Sequence, residues 1–168
     1  MVFPKDTREE LDAFYGKHVI GADGKPTAKW EQEHLQLFKV PYPLTLSFDK
    51  TVTVSRIRCH KLVGESLIHI FEQILEHFGN LEEVKRARVH LYGGCYNFRP
   101  IKDSVRLSTH SWGAGIDLDP ERNGLGKPHD PTKGMMRLEV VKIFEKEGWK
   151  WGGRFRSRPD CIYFQAAI

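Results

Sequence analysis

A single α+β domain, a small antiparallel sheet with flanking helices, is what this 168-residue sequence predicts. Three observations carry that reading. Leu67, Phe71, Ile74, Leu75 and Phe78 recur at helical spacing. Several shorter segments alternate apolar and polar residues, the mark of half-buried strands. The two patterns do not follow one another as regular βαβ units, which argues against a doubly wound parallel sheet.

Taken in order, Thr7-Arg8-Glu9-Glu10 is a capping box that opens a short helix, with Leu11 and Phe14 on one face and Gly16 as its stop. Residues 17–33 hold turn formers (Gly21, Gly24, Pro26) and few apolar positions, so a surface arm is expected there. Residues 1–40 thus form an N-terminal arm with a short helix, and 41–168 the main domain. Val40-Pro41-Tyr42-Pro43 is held extended by its prolines. Leu44, Leu46 and Phe48, then Val52 and Val54, alternate on either side of Asp49-Lys50, a hairpin pattern. The strongest helix covers about 61–78 and ends at Gly79-Asn80; its His69 and His77 lie too far apart to chelate one metal ion. A charged link leads to a short strand from Val89 to Tyr92 that enters Gly93-Gly94. Further strands are expected at Gly115–Asp119 and Ile162–Ala166, with a helix over 133–147 between them.

Charge and composition narrow the function classes only a little. The formal net charge is +4, spread along the chain, which helps approach to any polyanion and selects none. There is no basic helix, no aromatic RNA-stacking signature and no zinc-finger spacing, so nucleic acid is not the expected partner. No window approaches the roughly 20 apolar residues of a membrane span. The N-terminal residues lack the apolar core and cleavage site of a signal peptide. Cysteines 59, 95 and 161 form no C-x-x-C pair and are read as free thiols.

The chemistry concentrates in Ser108-Thr109-His110-Ser111-Trp112-Gly113-Ala114-Gly115-Ile116-Asp117-Leu118-Asp119. In a strand, Ile116 and Leu118 point to the core while Asp117 and Asp119 face a cleft or water. The glycine-bearing turn can fold the His110 imidazole back over Asp117, and such a pair binds zinc well. Spacing alone favours the plainer alternative, a loop histidine beside a solvated carboxylate face. Near the C-terminus, Trp149 and Trp151 alternate before Gly152-Gly153; they are either core or the wall of a substrate groove.

These segments resemble a known family. Ser108 to Asp117 is similar to the S-x-H-x-x-G-x-x-x-D signature of the zinc D-Ala-D-Ala peptidases, which include vancomycin-resistance-type carboxypeptidases and phage L-alanyl-D-glutamate endolysins. Trp149-Lys150-Trp151-Gly152-Gly153 resembles the family's W-x-W-G-G segment, and Tyr92 to Pro100 its arginine-bearing loop. The resemblance implies the hedgehog-type α+β fold for about 88–166, zinc as cofactor, and His110 and Asp117 as two of its ligands. It implies Asp160 as general base and Arg99 as the holder of a substrate carboxylate or oxyanion. It suggests Ser108, Trp112, Trp149, Trp151 and Tyr96 as substrate-binding positions. The implied partner is a peptidoglycan stem peptide, and the implied setting a phage or prophage endolysin, monomeric unless part of a virion. Such a protein stays in the host cytoplasm until released to the wall.

One position departs from the family. Where it has its third zinc-ligand histidine, this chain has Tyr163, whose phenol must first lose a proton with a reference pKa of about 10. Three readings are open: a weakly held metal with Tyr163 as ligand; a substitute ligand, with Cys161, Asp119 and His129 as candidates; or a fold retained for wall binding or as a structural part of a phage particle.

Overall fold

The computed structural model describes residues 2–168; Met1, the first residue of the expected arm, lies outside them. The order is α1 (Arg8–Tyr15), α2 (Ala28–His34), β1 (Leu35–Leu46), β2 (Asp49–His60), α3 (Gly64–Phe78), α4 (Leu81–Arg86), β3 (Leu91–Gly94), β4 (Gly115–Leu118), α5 (Leu138–Lys146), β5 (Lys150–Trp151) and β6 (Tyr163–Gln165). Six strands form one sheet in the order β2-β1-β3-β4-β6-β5. The α+β, single-domain expectation holds, with one difference. The sheet is mixed, because β1 and β3 run parallel while every other pair is antiparallel. The helical connection through α3 and α4 carries the chain past β1 to its far side, which permits that parallel pairing.

The hairpin is longer than the sequence pattern indicates. Leu46 pairs with Asp49, so the turn is Ser47-Phe48 rather than Asp49-Lys50. Pro41 and Pro43 fall where the register shifts between Lys39 and Leu44, since neither has an N–H to donate to the ladder. Helix α1 starts as its cap predicts, with the Thr7 hydroxyl accepting from the Glu10 N–H. Helix α3 ends at left-handed Gly79 and buries Leu67, Ile70, Phe71 and Ile74. The charged link after it is the short helix α4, capped by Asn80. Helix α5 is shorter than expected and starts only at Leu138, after a separate 3-10 turn at Pro131–Lys133.

Residues 17–33 lie largely at the surface, as expected, but His18, Pro26 and Trp30 are buried and pin the segment to the domain. The segment leads into α2, whose Trp30 is 1% exposed and stacks on His34 at 4.6 Å. The 40/41 boundary falls inside β1, and Phe3, Leu11, Tyr15 and Trp30 share one core with the sheet. Two buried imidazoles tie this segment down. His18 Nε2 lies 2.8 Å from the Ser111 carbonyl and His60 Nε2 lies 2.9 Å from the Tyr15 carbonyl. Burial lowers the His60 pKa to about 4, so its ring is neutral, donating from Nε2 and accepting the Leu62 N–H on Nδ1. The signal that misled is local: glycine, proline and lysine dominate 21–29, and a single tryptophan anchors the helix beyond them.

Trp30→Ala is therefore expected to lower the unfolding free energy by about 3–5 kcal/mol, the cost of emptying a large buried site. Urea denaturation measures it. A loss near zero would mean that this segment is appended to the domain rather than part of its core.

Candidate active-site cleft

Strands β4 and β6 sort their side chains by simple alternation. Ile116 pairs with Phe164, and both are fully buried; Phe164 stacks on Phe144 of α5 with centroids 3.9 Å apart. Residues one step away point to the opposite face. Asp117, Tyr163 and Gln165 occupy it, and all three line a cleft of about 830 Å³. Ser108, Thr109, His110, Arg99 and Asp160 line the same cleft. Six positions expected from the sequence thus come together: Arg99, Ser108, His110, Asp117, Asp160 and Tyr163.

His110 sits in a buried 3-10 turn, Thr109–Trp112, whose first residues are capped by the Ser108 hydroxyl. Its Nδ1 lies 2.6 Å from the Cys95 carbonyl, a contact that requires Nδ1–H as donor. In the neutral ring the Nε2 lone pair then faces outward, 3.3 Å from Asp117 Oδ1. Nε2 is buried and has no hydrogen-bond partner. The Cys95 carbonyl reaches the ring through an irregularity in β3. Tyr92 pairs with Leu118 but Gly94 with Asp117, so β3 bulges by one residue. Gly94 has φ 120°, and a Cβ on Gly93 would stand 2.8 Å from the Asp117 Cβ. Neither position accepts a side chain without moving the strand.

Asp160 also carries a buried oxygen without a hydrogen bond, its Oδ1, as does Asp6 elsewhere in the cleft. Burial raises its carboxyl pKa to about 6, the nearby Asp117 charge adds to the rise, and His110 and Arg99 oppose it. A carboxyl poised there both accepts and returns protons near neutrality.

Tyr163 behaves differently from a ligand. Its hydroxyl bonds the Thr109 hydroxyl and donates to Gln165 Oε1 at 3.0 Å. Burial, the largest effect, holds its pKa far above the ordinary phenol value. The side chain is a neutral phenol satisfied by uncharged neighbours. The proposed substitutes fail too. Cys161 is buried with its thiol toward the Lys127 carbonyl at 3.8 Å, and burial raises its pKa. Asp119 leaves the strand at φ 47° and pairs with Arg88 at 2.8 Å instead of facing the cleft. His129 Nε2 bonds the Met136 carbonyl at 2.8 Å. Among the described residues no three or more His, Cys, Asp or Glu side chains converge on one point. The donor set fits a metal ion at His110 Nε2 and Asp117, and does not fit at the third position.

The aromatic positions expected to bind substrate lie elsewhere. Trp149 donates to Ser66 Oγ at 3.1 Å and meets Phe3 and Phe144 edge-on. Trp151 donates to the Cys161 carbonyl at 3.1 Å, deep in the core. Trp112 is fully buried, with the Arg8 guanidinium over its ring. Tyr96 bonds Glu31 at 2.7 Å, away from the cleft. Large apolar rings this close to the β4–β6 core are packed rather than displayed. Sequence reasoning missed Thr109, Gln165 and Phe155. Thr109 adjoins the histidine, and Gln165 stands two residues from Tyr163 on one strand face, so both were within reach of the alternation rule. Phe155 gave no such sign.

Residues 102–166, less than half of the chain, match the family model described as D-alanyl-D-alanine carboxypeptidase. The matched segment contains His110, Asp117, Asp160 and Tyr163 but not Arg99. The match is a likeness of this segment to that family and does not extend to the rest of the chain. No curated protein and no solved structure matches the chain.

The position of Asp160 has a measurable consequence for stability. Its folded pKa of about 6 lies above the reference value of about 3.9, so the folded state holds this proton more tightly than the unfolded chain. The resulting stabilisation is complete below about pH 4 and is lost as pH rises through about 6. In metal-free protein, Asp160→Asn should flatten that decline and raise stability at neutral pH by about 1 kcal/mol, after allowance for the exposed part of the group. Denaturant titrations at several pH values read it. A variant less stable than the parent at neutral pH would contradict the assignment of a buried, unpaired carboxyl.

Proposed function

We propose that this protein is a peptidase of bacterial wall stem peptides, working in the cleft floored by His110, Asp117 and Asp160. The observation that carries the reading is the gathering in one cleft of Asp117 with two buried atoms that make no hydrogen bond, His110 Nε2 and Asp160 Oδ1. Zinc is the cofactor in this reading, with His110 and Asp117 as the side chains that would hold it. When bound, such an ion lowers the pKa of a coordinated water to about 7 and polarises a carbonyl.

The chain's own residues supply the rest. The Cys95 carbonyl fixes the imidazole tautomer and its direction. Asp160, half protonated near pH 6, takes a proton from the attacking water and returns it to the leaving amine. Arg99, on the wall of the same cleft, offers a fixed cation to the substrate carboxylate or to charge developing on the carbonyl oxygen. The bond cut is of the D-Ala-D-Ala or L-Ala-D-Glu type. An endolysin of phage or prophage origin is the setting we favour, held in the host cytoplasm until release or carried on the virion. A net charge of +4 suits an anionic wall.

One observation favours a second reading. Tyr163 fills the third ligand position as a neutral, hydrogen-bonded phenol. A metal held by two protein ligands binds far less tightly than one held by three. In this second reading the chain is an impaired relative that binds peptidoglycan or builds a phage particle without cutting it.

Metal analysis combined with an assay for newly released amino groups separates the two. Purified protein should carry substoichiometric zinc and act slowly on wall peptides; Tyr163→His should approach one zinc per chain and act faster. Full zinc in the parent would contradict the reading of the third position. Sedimentation with peptidoglycan, without amino-group release in either form at any zinc concentration, would favour the non-catalytic reading.

A further inference from the structure

The wall of the cleft differs in charge from its floor. Seven Lys and Arg side chains line it against three Asp. Three of these cations are already neutralised: Arg106 by Asp6 at 2.5 Å, Arg154 by Glu145 at 2.6 Å and Arg158 by Asp103 at 3.4 Å. Of the other four, Arg99 belongs to the proposed machinery. Lys102, Lys150 and Arg156 have no carboxylate partner among the described residues and are exposed.

These three come from separate segments that line one cleft. Lys102 stands on the small loop closed by the Pro100–Leu107 bridge. Lys150 projects from β5 over the Phe155 ring at 5.8 Å, and Phe155 meets Tyr163 edge-on at 6.3 Å. Arg156 follows in the loop after the 3-10 turn Gly152–Arg154. Arg158 joins the two walls by bonding the Lys102 carbonyl and Asp103 at 3.4 Å. Cations gathered at a concave mouth without carboxylate partners of their own repel one another, and an anionic ligand relieves that repulsion. Asp117 and Asp160 lie on the floor and Asp6 is paired with Arg106, so a ligand's own carboxylates are favoured beside the three unpaired cations and disfavoured below them.

We propose that the rim formed by Lys102, Lys150 and Arg156 selects acidic peptides, distinguishing a wall peptide with two or more free carboxylates from the same peptide with those groups amidated. This rests on the peptidase reading of the cleft for the identity of the ligand. A peptide fits better than a linear polyphosphate because the cations surround a hollow that ends in proton-transfer groups, rather than tracking a straight backbone.

The test uses two synthetic stem peptides of one sequence, one with its carboxylates free and one with them amidated. Calorimetric binding to the full chain should favour the free form by about tenfold at low salt, as charge-assisted contacts predict, and the preference should shrink as salt is raised. Lys150→Gln combined with Arg156→Gln should reduce it to about twofold or less while leaving the amidated peptide's affinity unchanged. Equal affinity of the parent for both peptides would overturn the proposal. So would a short polyphosphate that competes more strongly than the acidic peptide, since the rim would then be a general polyanion surface. Turnover measured on the same peptides keeps the readings apart: a preference without hydrolysis supports this proposal and removes the enzyme, and hydrolysis without a preference does the reverse.

Discussion

The site depends on one hydrogen bond, from His110 Nδ1–H to the Cys95 carbonyl. It determines which imidazole nitrogen faces Asp117, and so whether the pair offers two lone pairs to a cation or a donor and an acceptor to each other. Backbone geometry places that carbonyl, helped by the buried Cys95 thiol, which donates to the Gly113 carbonyl at 3.5 Å. The bulge opposite β4, the glycine at φ 120° and the close approach of Gly93 to Asp117 bring Cys95 and Asp117 to the same ring from two sides. The N-terminal segment braces the turn from behind through His18 and the Ser111 carbonyl. Parts of the chain more than ninety residues apart thus converge on a turn of four.

The floor and the third ligand position pull in opposite directions. Asp117 lies close enough to Asp160 to raise that group's cost of ionisation, a tension that a bound cation or a shared proton relieves. Tyr163, opposite Asp117 in the ladder, contributes nothing to that relief. Its hydroxyl instead joins Thr109 to Gln165, which makes the position structurally complete without a metal. The chain therefore combines the acids of a peptidase with a third corner built like a packed core.

Much of this was legible in the residues alone. Alternation placed Asp117 opposite Ile116 and Leu118, helical spacing gave α3, and the family resemblance, where spacing alone favoured a plainer reading, put His110 beside Asp117. The departure at Tyr163 was visible as a residue type, though not its consequence, since whether a phenol coordinates depends on who else bonds its oxygen. Asp119 defeated the alternation rule because a positive φ ends the strand one residue early. The tryptophans defeated the motif argument because proximity in sequence to a site says nothing about which side of a sheet a ring occupies; Trp151 pairs with Phe164 and so belongs to the core face. Helix α2 was hidden by the turn formers that precede it, and its evidence is a tertiary contact of Trp30 that no local pattern encodes.

Nitrogen NMR of the His110 imidazole in metal-free protein, in mildly alkaline solution, tests the central constraint most directly. Nδ1 should carry the proton and Nε2 be bare, with added zinc moving the Nε2 resonance and Asp117→Ala weakening that response. A ring protonated at Nε2 with Nδ1 bare would contradict it, because the lone pair would then point at a carbonyl and the cleft would have no site for a cation.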